Sequence, residues 1–269
     1  MFLRTDKTVI LSDLEKLTLN KEAKDFANET RAKNNIEEIK PYNVVRFIED
    51  QGYFVFQILN LGTSGFIRIV GKHKVIFLNA SESLGRQYYT AIHEYCHLIK
   101  DLAKIKEIDN LSEEEKEYEM SKMEYFAYKF TDYFLMPESA LLNYLKINEI
   151  HDFSKITIKN ILGVQHHFQL SFRQTTRMLN KYEVISKEQR DEFNSYSSKD
   201  NPELLKKITE DNKFPLGLIS PLAESRIPDI YLDSIIDNIK KGRITRKKVL
   251  FLAELLQKPS LVEVGPNHE

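Results

Sequence analysis

Residues 86–99 read Arg-Gln-Tyr-Tyr-Thr-Ala-Ile-His-Glu-Tyr-Cys-His-Leu-Ile, and the fold and the chemistry are decided by this stretch. Apolar residues recur in it every three or four positions, which predicts an amphipathic helix. His93 and His97 are four residues apart, so a helix places both imidazoles on one face, close enough to share one metal ion. The pattern predicts a metal site at His93 and His97, with Glu94 beside it.

The spacing His-Glu-x-x-His is typical of zinc-dependent hydrolysis of peptide bonds. Zinc lowers the pKa of a bound water to about 7, and Glu94 is placed to take the proton that this water releases. We therefore expect zinc as the cofactor and Glu94 as the general base, although manganese or iron could occupy the same ligands. The alternative is that His93 and His97 are surface side chains of an ordinary amphipathic helix. We do not favour it, because positions 91, 92, 98 and 99 are apolar and would bury this face, where unpaired polar groups are costly.

A catalytic zinc site needs a third protein ligand and an open fourth position. A second long helix is predicted between Ser112, which begins a capping-box pattern, and Pro137, which ends the helix. On it Glu124 is the best third ligand, because Ala127 one turn later is small enough to let two helices approach. Asp132 is the alternative.

Three candidate strands precede the motif helix, at 53–59, 66–70 and 75–78, each rich in aromatic or β-branched residues. They predict a small antiparallel sheet. The stretch 75–79 is a candidate edge strand, to which an extended substrate could add. Its continuous apolar run fits a wholly buried strand equally well.

Beyond the motif, residues 123–130 (MEYFAYKF) and 134–137 (FLMP) resemble the ImmA/IrrE family of bacterial and phage metallopeptidases. Gly65, the strand 75–79 and the segment 86–92 fit the same resemblance. It covers about residues 40–140.

The resemblance implies a zincin-like peptidase core in which His93, His97 and Glu124 bind zinc and Glu94 is the catalytic base. It also implies a substrate class, since family members cleave helix-turn-helix repressors and thereby release mobile-element or stress-response genes. Cys96 departs from the commoner residue inside the motif, and we interpret it as a core side chain rather than a ligand.

Residues 161–185 predict two helices around a turn at 169–170, with Ser171 capping the second. Basic side chains would lie along one side of that second helix: Arg173, Arg177 and Lys181. In a DNA-binding module, such groups contact phosphates or bases. We favour the alternative, that these helices brace the peptidase core or dock its substrate, because 39 basic and 40 acidic residues leave a net charge of only −1.

The densest basic run, at 240–248, could also contact phosphates, but it is more typical of a solvated helix junction. The histidines outside the motif have no partner at metal-ligand spacing, so we expect them to be structural or exposed. These are His73, His151, His166 and His167.

The whole chain is predicted to be α+β and mostly helical. We expect an N-terminal helical segment (1–40), a zincin-like core (41–150), a helix-turn-helix-like segment (151–195) and a C-terminal helical domain (196–269). A single cysteine rules out a disulfide framework, and the N-terminus has no apolar targeting segment, which predicts a cytoplasmic location. No run reaches the roughly 18 apolar residues of a membrane span, so we expect no membrane partner.

Two functions fit these patterns. The first is a zinc endopeptidase acting on a cytoplasmic protein, which by the resemblance is a transcriptional repressor. The second is a non-catalytic regulator that binds DNA or protein through its C-terminal half. Glu94 favours the first, because a protein without hydrolytic activity has no chemical need for this carboxylate. A protein substrate is the expected partner, and DNA stays open but is not favoured.

Overall fold

Helices make up most of the molecule, and a three-stranded sheet precedes the motif helix. The computed structural model describes residues 9–36, 43–108, 110–197 and 202–264. The helices are α1 (Asp13–Lys33), α2 (Val44–Asp50), α3 (Leu84–Cys96), α4 (Leu102–Ile108), α5 (Glu113–Leu135), α6 (Glu138–Ile147), α7 (Ile158–Phe168), α8 (Phe172–Lys181), α9 (Lys187–Ser195), α10 (Pro202–Asp211), α11 (Asp229–Lys240), α12 (Arg246–Leu256) and α13 (Ser260–Glu263). The strands are β1 (Phe54–Ile58), β2 (Gly65–Val70) and β3 (His73–Asn79). The predicted α+β class is confirmed.

Helix starts follow from side-chain capping. At α5 the Ser112 hydroxyl accepts a hydrogen bond from the Glu115 amide, while the Glu115 carboxylate accepts one from the Ser112 amide. At α8 the Ser171 hydroxyl accepts from the amide of Gln174 at 3.3 Å. Both predicted helix starts are therefore confirmed.

The sheet has the order β1-β3-β2 and is mixed. β2 and β3 form an antiparallel hairpin, whereas β1 runs parallel to β3. The predicted antiparallel sheet is therefore wrong for the β1–β3 pair, because residue alternation reports the faces of a strand but not its direction. The proposed edge strand at 75–79 is also wrong. It is the central strand, paired at both edges, and its apolar side chains are buried because a hydrophobic core covers each face of the sheet.

The two faces of the sheet belong to different hydrophobic cores. Val55 and Ile76 point into the main core, which gathers buried side chains from α1 to α9. Phe56 and Phe77 pack on the other side against a second core formed with Ile227 and the helices α11 to α13. The C-terminal helices therefore cover the face of the sheet that is turned away from the motif helix.

The outer edge of β1 is closed by the segment that leads into those helices. Gln57 and Arg226 exchange two backbone hydrogen bonds of 2.8 Å, and the Arg226 guanidinium forms a bidentate ion pair with Glu49. Ser225 accepts a further bond from the Leu59 amide. Within the described residues the outer edge of β2 has no strand beside it.

The long helix α5 packs between α1 and α3. Ala23 and Ala27 of α1 are fully buried in this contact region, and Phe26 lies against Phe126 and Phe130 of α5. Ala127 of α5 is fully buried, in keeping with the close helix approach expected there.

Helices α7 and α8 are joined by a short turn in which Gln169 has a positive φ of 55°. This turn lies directly on the first turn of α3. A Cβ atom on Gly85 would lie 2.5 Å from the Ser171 nitrogen and 2.6 Å from the Leu170 carbonyl, so only glycine permits the contact.

Parts of the predicted N-terminal segment, of the zincin-like core and of the C-terminal domain lie outside the described ranges, at 1–8, 37–42 and 198–201. The predicted division into four segments stays a prediction. Among the described helices, none is both long and apolar enough to cross a lipid bilayer.

We predict that Gly85→Ala lowers the free energy of unfolding by about 1–3 kcal/mol, because backbone atoms of the α7–α8 turn cannot move aside for a methyl group. Gly217→Ala is the matched control, since nothing lies within 4 Å of a Cβ atom there. Urea unfolding followed by circular dichroism measures both variants. Equal stability of the two would contradict the close contact.

Candidate metal centre

The two motif histidines lie at the end of α3 and point the same way. His93 and His97 are buried, at 8% and 1% exposure, and their Nε2 atoms are 3.2 Å apart. The four-residue spacing on a helix is the cause of this convergence. The predicted pairing of the two imidazoles is therefore found.

Helix α5 runs antiparallel to α3 and presents a matching row of side chains. His97 meets Glu124 at one end of the contact, and Tyr89 meets Asp132 at the other. Between them the rings of His93 and Tyr128 pack together. We call these two rows, each spaced at four residues, the α3–α5 rows; they consist of Tyr89, His93 and His97 opposite Asp132, Tyr128 and Glu124.

Glu124 completes a triangle of donor atoms. Its Oε2 lies 3.2 Å from His93 Nε2, and its Oε1 lies 3.4 Å from His97 Nε2. A tetrahedral zinc ion with bonds of about 2.0–2.1 Å separates its ligands by about 3.3 Å, so the triangle has the right size. The Glu124 side chain is 31% exposed, which leaves one side of the triangle open to solvent. The residues therefore fit a catalytic zinc ion.

A π-helical turn, His97–Asp101, follows α3 and adds a residue that the sequence analysis missed. It places the Asp101 carboxylate 2.8 Å from Nδ1 of His97, with both side chains nearly inaccessible to solvent. A carboxylate on the far nitrogen fixes the ring so that Nε2 faces the metal. The signal available in the sequence was an acidic residue four positions after His97.

Two carboxylates around a buried imidazole make the centre strongly attractive to a cation. Burial alone would lower the pKa of His97, but the hydrogen bonds with Asp101 and Glu124 and the charges of Glu124 and Glu94 raise it to about 10. Burial would raise the pKa of Glu124, yet the two histidines lower it to about 2. A metal ion bound here takes the place of the proton on His97.

Residues 48–180 match the family described as Peptidase_M78, IrrE N-terminal-like domain. This part of the chain is an ImmA/IrrE metallopeptidase domain. The match spans the sheet, the metal triangle and α8, and it confirms the resemblance given by the sequence motifs. No curated protein matches the chain.

In the ImmA/IrrE domain Glu94 follows the first ligand directly. Its side chain is partly buried, and its charge contributes to the raised pKa of His97, so it lies close to the metal triangle. The position suits a group that exchanges protons with a water molecule at the open side. Its role as general base stays a prediction.

Asp132, the alternative third ligand, belongs to a different cluster. It is 2% exposed and forms ion pairs with Arg177 and Lys181 of α8, and it accepts a hydrogen bond from the Tyr89 hydroxyl at 3.1 Å. Among the described residues, the group able to hold a metal ion is His93, His97 and Glu124. The geometry thus favours Glu124 over Asp132.

The same cluster accounts for two of the three basic residues considered for DNA contacts. Arg177 and Lys181 turn inward to Asp132, and Arg173 donates hydrogen bonds to Ser197. These contacts agree with the interpretation that α8 braces the ImmA/IrrE domain. Cys96 is completely buried, as expected for a core side chain.

Histidines outside the triangle mostly pack against aromatic rings. His73 lies against Phe54, and His166 stacks on Phe214 with ring centres 4.9 Å apart. His167 packs on Tyr144. These packing contacts fit the structural role that we expected for them.

We predict that His97→Ala abolishes stoichiometric zinc binding by the ImmA/IrrE domain and that Glu124→Ala weakens it severely, because each removes a donor from the triangle. Asp101→Ala should weaken zinc binding about 10–100-fold by releasing the His97 ring. Zinc content by elemental mass spectrometry and competition with a chromophoric chelator measure these effects.

Asp132→Ala is the matched control, since it removes a buried carboxylate from the same helix as Glu124 without touching the triangle. We expect this variant to bind zinc with unchanged affinity. Loss of zinc from Asp132→Ala together with retention by Glu124→Ala would reverse the ligand assignment.

Proposed function

We propose that this chain is a zinc-dependent endopeptidase that cleaves a cytoplasmic helix-turn-helix transcriptional repressor and so derepresses mobile-element or stress-response genes. The observation that carries the peptidase assignment is the triangle of His93, His97 and Glu124 with Glu94 beside it. The family match supports it independently, because the matched domain is of a metallopeptidase type.

A zinc ion in the triangle would supply a Lewis acid that polarises the scissile carbonyl and lowers the pKa of water. His93, His97 and Glu124 would hold it. Asp101 keeps His97 oriented, so the chain presents its ligands without having to rearrange them. The solvent-exposed side of Glu124 is where the peptide bond would approach.

Glu94 would move the protons of the reaction. Its carboxylate accepts a proton from the attacking water as the oxygen bonds to the carbonyl carbon. The carbon–nitrogen bond then breaks, and Glu94 returns the proton to the leaving nitrogen. The products are a new carboxylate and a new amine, so one residue serves first as base and then as acid.

The outer edge of β2 is our proposed binding site for extended substrate. The pairing of β2 with β3 leaves the backbone N–H and C=O groups of Gly65, Ile67 and Ile69 facing outward. Gly65 lies against Thr90, one turn before His93, with so little room that a Cβ atom would come within 2.6 Å of the Thr90 methyl group. A peptide added to this edge would pass along the motif helix towards the metal triangle.

The repressor assignment rests on the family resemblance. An extended strand on β2 requires an unfolded segment, which a linker or loop of a small regulatory protein can supply. The alternative of a non-catalytic DNA-binding regulator gains no support from α8, because Arg177 and Lys181 are engaged with Asp132.

We predict that Glu94→Gln binds one zinc per chain but cleaves no repressor, because glutamine cannot accept the proton. Glu113→Gln, an exposed carboxylate on α5, is the control and should cleave normally. Purified zinc-loaded protein is incubated with helix-turn-helix repressors encoded near its gene, and fragments are identified by intact mass spectrometry. Cleavage by the Glu94→Gln variant would overturn the base assignment, and no cleavage by the wild type would overturn the proposed function.

Once the cleaved bond is mapped, peptides that span it and carry one N-methyl amide each test the β2 site. Because a strand pairs through every second residue, we expect kcat/KM to fall at least tenfold at alternate positions only. The intermediate positions are the matched controls. A uniform effect of methylation along the peptide would exclude strand addition.

A further inference from the structure

Tyr128 occupies the middle of the α3–α5 rows, yet neither the metal triangle nor the proton transfer uses it. It lies one helical turn beyond Glu124 on the same face of α5. Its ring centre is 4.6 Å from that of His93, with an angle of 54° between the planes. The residue is nearly half exposed, at 48%. Tyr128 thus joins a buried ligand to the solvent-facing side of the centre.

The two histidines are held in different ways. Nδ1 of His97 is paired with Asp101, whereas Nδ1 of His93 is buried and has no hydrogen-bond partner among the described residues. No carboxylate in those residues orients the His93 ring as Asp101 orients His97. Ring packing by Tyr128 is the contact that can restrain it on the solvent-facing side.

The hydroxyl of Tyr128 has a second property that matters for hydrolysis. Tyr89, the neighbouring tyrosine in the rows, has its hydroxyl bound to Asp132. Tyr128 carries a hydroxyl donor and is 48% exposed beside the ligand His93. When water adds to a peptide carbonyl, negative charge develops on the carbonyl oxygen, and a positioned donor stabilises it.

We propose that Tyr128 has two roles: its ring positions His93 for metal binding, and its hydroxyl donates a hydrogen bond to the carbonyl oxygen of the bound peptide during attack. The second role rests on the proposed peptidase function. The first does not, because it concerns zinc affinity alone.

Two substitutions separate the roles. Tyr128→Phe keeps the ring and removes the hydroxyl, so zinc affinity should be unchanged while kcat falls about tenfold or more and KM changes less than twofold. Tyr128→Ala removes the ring as well, and zinc affinity should fall about tenfold. Tyr125→Phe, one turn away on α5 and packed against Lys129, is the matched control and should change neither quantity.

Zinc affinity is measured by chelator competition, and kcat and KM by a fluorogenic peptide that spans the bond cleaved in the repressor. Unchanged kcat in Tyr128→Phe would overturn the hydroxyl role. Unchanged zinc affinity in Tyr128→Ala, with circular dichroism like that of the wild type, would overturn the ring role. If the wild type cleaves no repressor, the proposed function and the hydroxyl role both fall, and the zinc measurements still decide the ring role.

Discussion

The packing of α3 against α5 is the constraint on which the rest of the structure depends. Side chains four residues apart share one face of a helix, so two antiparallel helices bring such side chains into facing pairs. We call each facing pair of the α3–α5 rows a level. His97 and Glu124 form the first level, His93 and Tyr128 the second, and Tyr89 and Asp132 the third. The candidate metal ligands and the structural ion pairs of Asp132 therefore follow from one helix contact.

The surrounding elements fix this contact from three sides. Helix α1 packs on the other side of α5, the sheet lies against α3, and α8 is tied to the third level through the ion pairs of Asp132 with Arg177 and Lys181. Burying the Asp132 carboxylate without a nearby cation would destabilise the fold, so the buried position of Asp132 depends on Arg177 and Lys181. At the start of α3, the backbone of Leu170 and Ser171 packs directly against Gly85.

The local features of the fold and the candidate metal ligands could be predicted from the sequence. Helical spacing pairs His93 with His97, the small Ala127 and the family resemblance favour Glu124 over Asp132, and capping chemistry identifies where α5 and α8 begin. Strand direction could not be predicted, because β1 becomes parallel to β3 only through a crossover that places β3 in the middle of the sheet. Asp101 depends on a π-helical turn, and the inward direction of Arg177 depends on a carboxylate 45 residues away in the sequence. Such information lies in tertiary packing rather than in any local pattern.

The level-by-level matching of the two helices also restricts how the chain can change in length. One residue inserted or deleted between Tyr89 and His97, or between Glu124 and Asp132, would rotate everything beyond it by about 100° and separate the remaining levels at once. The segment between the two helices, from Leu102 to Ser112, carries no member of either row. A change in the length of that connection therefore leaves the spacing within each row intact, while the eight-residue intervals inside the rows must stay constant to keep the three pairs of facing side chains aligned.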